Sequence, residues 1–207
     1  IRGLRNLGVS LGEIKKYIEK RSTKKSLELV DFQLGVIHEK LDELLELKKQ
    51  LSSKKIYLQK ILEDNKYNEI TEIILPERRC YKKYNDIATD WEIDLELKKL
   101  TNTIDSEEGE YFAGTRGGAI LRVDDYNNNK YNLYKGTFLM DSSGESLLKK
   151  GRYISLTFRG GYKEKNIYYE NIKKYIEDNN LEIDEEILEI YKIDIHETDN
   201  EDEFVTE

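Results

Sequence analysis

The sequence predicts an α+β protein in which a long helix precedes a domain of mixed strands and helices. Apolar residues recur in steps of three and four over residues 26–64, and the period changes to two beyond residue 76. The charge is divided along the same line. The first 66 residues carry more basic than acidic side chains, whereas the remainder is strongly acidic within a net charge of −8. We therefore expect two modules with different partners.

The bulk composition excludes several classes of protein. No apolar run approaches a membrane span, and the N-terminus lacks a signal-peptide pattern. Cys80 stands alone, so there is no disulfide framework and we expect a cytoplasmic protein. His38 and His196 are too far apart in the sequence to predict a metal site, and we expect no cofactor. The chain begins at Ile1 and its only Met is Met140, so we expect a fragment that lacks its true N-terminus.

Residues 1–25 are predicted to form a short helix, a turn and a second helix. Gly8 is a helix-stop residue, and Ser10 with Glu13 has the spacing of a capping box. The second helix ends in a cluster of basic residues, which is either simply solvated or contacts phosphates. Four basic side chains are candidates for weak contacts with a DNA backbone: Arg2, Arg5, Lys15 and Lys16.

Residues 26–64 follow the heptad rule for a helix that packs along another helix. A helix of this span is roughly 55–60 Å long, well beyond the diameter of a small domain. It could fold back on its own domain, but an apolar seam of this length favours an inter-subunit coiled coil, and we predict a homodimer. The predicted dimerisation residues are Val30, Leu34, Ile37, Leu41, Leu44, Leu51 and Leu58. A polar linker is expected at 65–75, before Pro76.

The remainder, residues 76–207, is predicted to contain the order strand, helix, strand, strand (βαββ) twice. Strands are predicted at Arg79–Tyr84, Ala119–Val123, Tyr131–Met140, Tyr153–Phe158, Leu188–Ile195 and from Glu203 onward. Helices are predicted at Trp91–Ile104 and Tyr168–Glu177. Asp125–Asn129 is rich in Asn and Asp and predicts a turn.

The N-terminal segment IRGLRNLGVSLGEIKKYIEKR resembles the second half of the DNA-binding head of MerR-family transcription regulators. In that family the head leads into a long helix that forms an antiparallel dimer coiled coil, as the heptad segment would here. The recognition helix and wing of the family are not in this sequence. The resemblance therefore implies a remnant of a DNA-binding head at 1–25 and a dimerisation helix at 26–64.

The C-terminal part resembles a GyrI-like effector-binding domain. The segments that carry the resemblance are KKGRYISLTFRGGYKEKNIYYENIKKYIEDNNLEIDEEILEIYKID and TDNEDEFVTE. Glu185 stands where the family usually has Gly, and Phe204 stands where Tyr is common. A head, a coiled coil and this domain in this order resemble the multidrug-sensing branch of the MerR family. That resemblance implies promoter DNA and RNA polymerase as partners and a small molecule as effector.

Two βαββ units side by side would leave a cleft between their sheets, and its candidate ligand-binding residues are a carboxylate and several aromatic rings. Glu189 and Tyr191 would face the same side of one strand. Alone, Glu189 reads as a solvated carboxylate in an acidic stretch, but the family places its pocket glutamate at this position. Tyr162 and Phe204 match positions that form aromatic walls in relatives, or else pack in the core. Tyr111, Tyr81 and Tyr84 are further candidates near the cleft strands.

A carboxylate among aromatic faces suits a lipophilic organic cation, because charge pairing and cation–π attraction act together. The Gly-rich segments have no phosphate-binding frame, and no set of residues predicts nucleophilic catalysis. We therefore predict a ligand-responsive regulator and not an enzyme. The alternative is a stand-alone GyrI-like module, either a hydrolase that uses Glu189 as general base or an inhibitor that binds another protein.

Overall fold

The structure is a computed structural model that describes residues 11, 12, 15, 22–64, 66–103, 117–184 and 186–207. Helices and strands are both abundant, which confirms the α+β class. The chain divides into two compact units, Ile1–Ser53 and Lys54–Glu207. Among the described helices, none combines the length and apolar character that a membrane crossing requires.

Helix α1 spans Thr23–Glu63, close to the predicted helix at 26–64. Its apolar positions in the first unit lie on the surface, with exposed fractions from 40% at Ile37 to 62% at Leu27. The end of the helix differs, because Leu58 packs against a buried cluster of Ile61, Ile193 and Val205. This last part of the predicted dimer seam therefore packs within its own unit, because the strands that carry Ile193 and Val205 offer it an apolar surface.

In the described part of the second unit, nine strands form two antiparallel sheets. The strands are β1 (Ile70–Leu75), β2 (Arg78–Ile87), β3 (Gly117–Arg122), β4 (Tyr134–Met140), β5 (Ser146–Leu148), β6 (Gly151–Leu156), β7 (Phe158–Arg159), β8 (Glu186–Ile193) and β9 (Val205–Thr206). Strands β1 and β6 pair with each other, and the other seven form one sheet in the order β5-β2-β4-β3-β8-β9-β7.

The described residues of this unit also form three α-helices: α2 (Asp90–Thr103), α3 (Val123–Asn127) and α4 (Lys165–Asp178). A capping box starts α2, where the Thr89 backbone N–H donates to Glu92 at 3.0 Å and the Glu92 N–H donates back to the Thr89 hydroxyl at 3.3 Å. Short 3₁₀ turns at Tyr162–Glu164 and Glu201–Glu203 precede α4 and β9.

Strand β5, at Ser146–Leu148, was not predicted, and two predicted segments also differ from the structure. The predicted linker at 65–75 contains strand β1, because alternate apolar residues such as Ile73 can pair with β6. The predicted turn at Asp125–Asn129 lies largely in the short helix α3, which continues to Asn127 and buries Tyr126. The Asn and Asp residues there favoured a turn, and the burial of one tyrosine ring favours the helix instead.

The seven-stranded sheet carries apolar residues on both faces, as alternation along β3 shows. Ala119 and Leu121 belong to one cluster, which also contains residues of α2, α3 and α4. Ile120 belongs to a second cluster, on the opposite face. Because side chains alternate along β8 as well, Glu189 shares a face with Ile187 and Tyr191.

Candidate functional site

Glu189 lies on β8 and is almost completely buried, with 2% of the residue exposed. Its carboxylate accepts hydrogen bonds from three tyrosine hydroxyls. Tyr134 donates to both oxygens at 3.2 Å, Tyr191 donates to Oε1 at 3.0 Å, and Tyr169 donates to Oε2. A buried carboxylate is costly unless such donors compensate it, so this arrangement is specific to the ionised side chain.

Lys165 supplies a positive charge beside this carboxylate. Its ammonium nitrogen lies 3.9 Å from Oε1 of Glu189 and 3.7 Å from Asp90, and it also donates to the Tyr134 hydroxyl. The residue is 5% exposed. Lys165 and Tyr169 are four residues apart on α4, so one face of that helix brings both groups to Glu189. The negative charge of Glu189 therefore has a partner from the chain itself.

Burial affects two of the tyrosine hydroxyls near Glu189. Burial, and then the charge of Glu189, raises the pKa of Tyr169 well above its ordinary value. Burial likewise raises the pKa of Tyr126, whose hydroxyl donates to the backbone carbonyl of Tyr169 at 3.1 Å. The ring of Tyr169 stacks on Tyr131 with centroids 5.0 Å apart. Stacking and hydrogen bonding thus hold the Tyr169 hydroxyl in place.

A cavity of about 380 Å³ borders Glu189. This volume lies within the range of small-molecule pockets, roughly 300–1,000 Å³. Its walls come mainly from β1, β2, β6, α4 and β8, and β5 and β7 also contribute. The apolar and aromatic side chains that line it include Ile73, Leu75, Leu148, Tyr153, Phe158, Tyr168, Ile172, Ile176 and Leu188. A small molecule with an apolar body fits this lining.

A second charged cluster lines the cavity at Glu186, the first residue of β8. Lys82 lies 2.6 Å and Lys135 3.0 Å from its carboxylate, and the Tyr84 hydroxyl donates at 3.0 Å. Burial alone would raise the pKa of Glu186, but the hydrogen bonds from Lys82 and Lys135 outweigh burial and hold this pKa below its usual value. Glu186 is therefore ionised and fully partnered.

The predicted ligand residues are only partly brought together. Among the predicted ligand residues that the structure describes, only Glu189 lines the cavity. Tyr191 lies on the same strand and donates a hydrogen bond to Glu189. Phe204 is buried, in accord with core packing, and Tyr81 donates to the Ser143 carbonyl at 3.2 Å. The hydroxyl of Tyr84 donates a hydrogen bond to Glu186. Tyr111 and the side chain of Tyr162 lie outside the described residues.

Sequence reasoning missed Lys165, Tyr134, Tyr169 and Tyr168. A signal existed on α4, where Lys165, Tyr169 and Ile172 recur at helical spacing. The predicted helix, Tyr168–Glu177, began three residues after Lys165 and therefore did not include it. Tyr134 comes from the middle of the sheet, and sequence spacing does not indicate that it would meet Glu189.

The remaining predicted sites concern DNA contacts, metal binding and dimerisation. Arg2, Arg5 and Lys16 lie outside the described residues, and Lys15 is helical and exposed. The described residues contain no cluster of His, Cys, Asp or Glu that could hold a metal ion. The apolar seam at Val30, Leu34 and the positions that follow it in the first unit is exposed on this chain.

The fold and the cavity together define a small α+β domain with a ligand-sized pocket. Its described fold is similar to the structure titled "Crystal structure of EcmrR C-terminal domain", with a TM-score of 0.51 and 14% identity over 67% of this chain and 92% of that one. Two further structures match with lower scores. An EcmrR–DNA complex, solved in EcmrR-RPo, has a TM-score of 0.44 and 15% identity over 99% of this chain and 78% of that one.

The other is a hydrolase from Listeria innocua, with a TM-score of 0.43 and 10% identity over 72% of this chain and 93% of that one. No protein-family model matches the chain, and no curated protein matches it either. The likeness to the EcmrR C-terminal domain therefore establishes a shared fold.

Proposed function

We propose that this chain is the ligand-sensing part of a dimeric transcription regulator of the MerR type. Its second unit would be a GyrI-like effector-binding domain built from two βαββ repeats. The cavity beside Glu189 carries the proposal, because it joins a buried carboxylate, several aromatic rings and enough volume for a small molecule. The resemblance of residues 1–64 to a MerR head and dimer helix, and the fold shared with the EcmrR C-terminal domain, support the same assignment.

The ligand class that we propose is a lipophilic organic cation. Glu189 would attract the charge, and rings such as Tyr168 and Phe158 would pack against the apolar body. Lys165 sets a condition on this binding, since its ammonium is already 3.9 Å from the carboxylate. A cation must therefore compete with Lys165 or share Glu189 with it. Only cations that also bury apolar surface would gain enough from the cavity to do so.

Ligand binding would act on transcription through the dimer. In the proposed mechanism the occupied effector domain changes how it sits on the DNA-binding heads, and the dimer distorts promoter DNA so that RNA polymerase can start. These steps place the protein in the cytoplasm. The antiparallel helix pair through Leu34 and Leu41 would connect the two chains.

We propose no enzymatic activity for this site. A general base must offer an oxygen to the water or group that it deprotonates. The oxygens of Glu189 already accept hydrogen bonds from Tyr134, Tyr169 and Tyr191. A water would have to displace a tyrosine hydroxyl, so the geometry favours binding over hydrolysis.

Titration with a matched dye pair tests this proposal. N-methylacridinium is a cation, and acridine at mildly alkaline pH is a neutral molecule of similar shape. Glu189→Gln keeps the shape of the side chain and removes its charge, so we expect the cation to lose roughly 30-fold or more in affinity. Acridine should change far less, because its stacking contacts remain. The matched control is Glu182→Gln, which alters an exposed carboxylate that also lines the cavity.

Equal losses for the two dyes on Glu189→Gln would show that the charge of Glu189 does not select the ligand. Failure of both dyes to bind the wild-type chain would remove the cavity as a small-molecule site.

A further inference from the structure

Arg78 is a cationic side chain with a hydrogen-bond donor that has no acceptor among the described residues. It is the first residue of β2, it is half-buried, and it lines the cavity. Its Nε atom is buried and has no hydrogen-bond partner among the described residues. A buried N–H without an acceptor destabilises the folded state, and a charged group does so more strongly. Such a group in a cavity wall points to a ligand that supplies the acceptor.

The contacts that Arg78 does make carry no formal charge. Its guanidinium carbon lies 5.4 Å from the centre of the Tyr153 ring, and one terminal nitrogen lies 4.0 Å from the sulfur of Met140. The ring contact orients the flat guanidinium group, and thioether sulfur is a weak acceptor. The position of Arg78 is therefore fixed, while its charge is not neutralised by either neighbour.

Four other charged side chains of the lining differ, because each of them has an opposite charge from the chain. Glu186 has Lys82 at 2.6 Å, and Glu207 has Lys192 at 2.8 Å. Glu189 faces Lys165, as described above. Arg152, a second arginine of the lining, lies 3.7 Å from Glu72. The buried acids of the lining are thus already partnered, whereas no ion pair with Arg78 is found among the described residues.

We propose that Arg78 is an anion-binding subsite of the cavity and that it holds the carboxylate, sulfonate or phosphate of a ligand with an apolar body. The planar fork of N–H donors suits such groups, because two parallel hydrogen bonds can form to two oxygens. Tyr153 and Leu148, which also line the cavity, offer apolar surface for the rest of the molecule. This inference rests on the proposed small-molecule function of the cavity, and it adds a charge requirement separate from that at Glu189.

Two dyes that differ by one anionic group test the subsite. 8-Anilinonaphthalene-1-sulfonate carries a sulfonate, and N-phenyl-1-naphthylamine is the same molecule without it. The wild-type chain should bind the sulfonate dye at least about tenfold more tightly than the neutral dye. Arg78→Met keeps much of the apolar stem and removes the charge. It should weaken the sulfonate dye at least about tenfold and change the neutral dye by less than about twofold.

Arg152→Met is the matched control, since it removes another arginine from the same lining whose charge is already paired with Glu72. It should leave both affinities within about twofold of wild type. Arg78→Lys keeps the charge without the fork and should fall between wild type and Arg78→Met. Unchanged sulfonate-dye affinity in Arg78→Met, or equal losses for both dyes, would overturn the proposal.

The affinities of the wild-type chain for the two dyes test the anion subsite even if Arg78→Met does not fold. Equal affinity for the two dyes would overturn the anion subsite while leaving a cavity that binds apolar molecules. Binding of neither dye would overturn this inference, whereas the proposed function would be overturned only if N-methylacridinium and acridine also failed to bind. Failure of the Glu189 experiment alone would leave the prediction for Arg78 unchanged.

Discussion

The ammonium nitrogen of Lys165 lies 3.9 Å from Oε1 of Glu189, and both residues are almost fully buried. The two come from different elements, because Lys165 begins α4 and Glu189 lies in the middle of β8. Their contact therefore links the helix to the sheet at the edge of the cavity. Removing one member of a buried pair leaves the other charge uncompensated, which is more harmful than removing both.

Lys165→Met should lower the free energy of unfolding by about 3 kcal/mol, because it leaves the Glu189 carboxylate buried with only hydroxyl donors. Urea unfolding followed by tyrosine fluorescence would measure the change. If the folded variant still binds N-methylacridinium, its affinity should rise, since the competing ammonium is gone.

The double variant Lys165→Met/Glu189→Gln is the internal check on that prediction. It should be more stable than Lys165→Met alone, because neither charge is then left without its partner. Lys163→Met, at an exposed neighbouring position, should change stability by no more than about 0.5 kcal/mol. Strictly additive effects of the two buried substitutions would contradict a direct interaction between Lys165 and Glu189.

The stability of the chain should fall in mild acid because of Glu186. Its pKa is held below the ordinary value of 4.5 by hydrogen bonds from Lys82 and Lys135, although burial acts in the opposite direction. A carboxyl group with a lowered pKa in the folded state contributes stability that is present above the unfolded pKa and is lost as the pH falls through the folded pKa. The wild-type urea midpoint should therefore decrease as the pH falls below about 4.5.

Glu186→Gln should make this decrease shallower, even though the variant is less stable at neutral pH. Some loss of stability in acid should remain in this variant, because hydrogen bonds from Lys83 and Lys99 also lower the pKa of Glu96. Glu145→Gln, which changes an exposed carboxylate, should keep the wild-type profile. Parallel profiles for wild type and Glu186→Gln would show that Glu186 does not contribute to acid sensitivity.

Leu41→Asp tests the predicted homodimer. In the first unit the heptad positions of α1 are exposed on a single chain, with Leu41 at 50% and Leu44 at 61%. An apolar stripe of this length is a liability unless another helix covers it. Sedimentation should give about twice the chain mass of 24.4 kDa for wild type and a monomer for Leu41→Asp.

Lys49→Asp supplies the control for that experiment, because it places the same side chain off the heptad seam at an exposed position beside Glu46. It should remain dimeric. A wild-type chain that sediments as a monomer at micromolar concentration would argue against the coiled coil. The packing of Leu58 within the second unit predicts that Leu58→Asp would instead lower the stability of that unit.

The elements of the fold were more predictable from sequence than the partners within the site. Periodicity placed α1 and most strands within a few residues, because a buried face imposes its repeat on the sequence. Strand β1 was missed because its pairing partner, β6, lies some eighty residues further along the chain. Lys165 was missed for a related reason. A lysine in a helical sequence is ordinarily predicted to face the solvent. Only the tertiary contact with Glu189 shows that Lys165 belongs to the site.

Gly118 allows strand β3 to pair closely with β8, the strand that carries Glu189. Gly118 pairs with Ile190 across β3 and β8, and a Cβ atom added there would lie only 1.9 Å from the carbonyl oxygen of Glu189. That oxygen belongs to the backbone, so Gly118→Ala must push the two strands apart. We expect a loss of about 3 kcal/mol in the free energy of unfolding, at the upper end of overpacking effects. Gly151→Ala is the matched control, because its Cβ would meet only the Tyr153 ring at 3.9 Å, an ordinary contact. Urea unfolding measures both variants, and a Gly118→Ala chain as stable as Gly151→Ala would contradict the close pairing of β3 with β8 at Glu189.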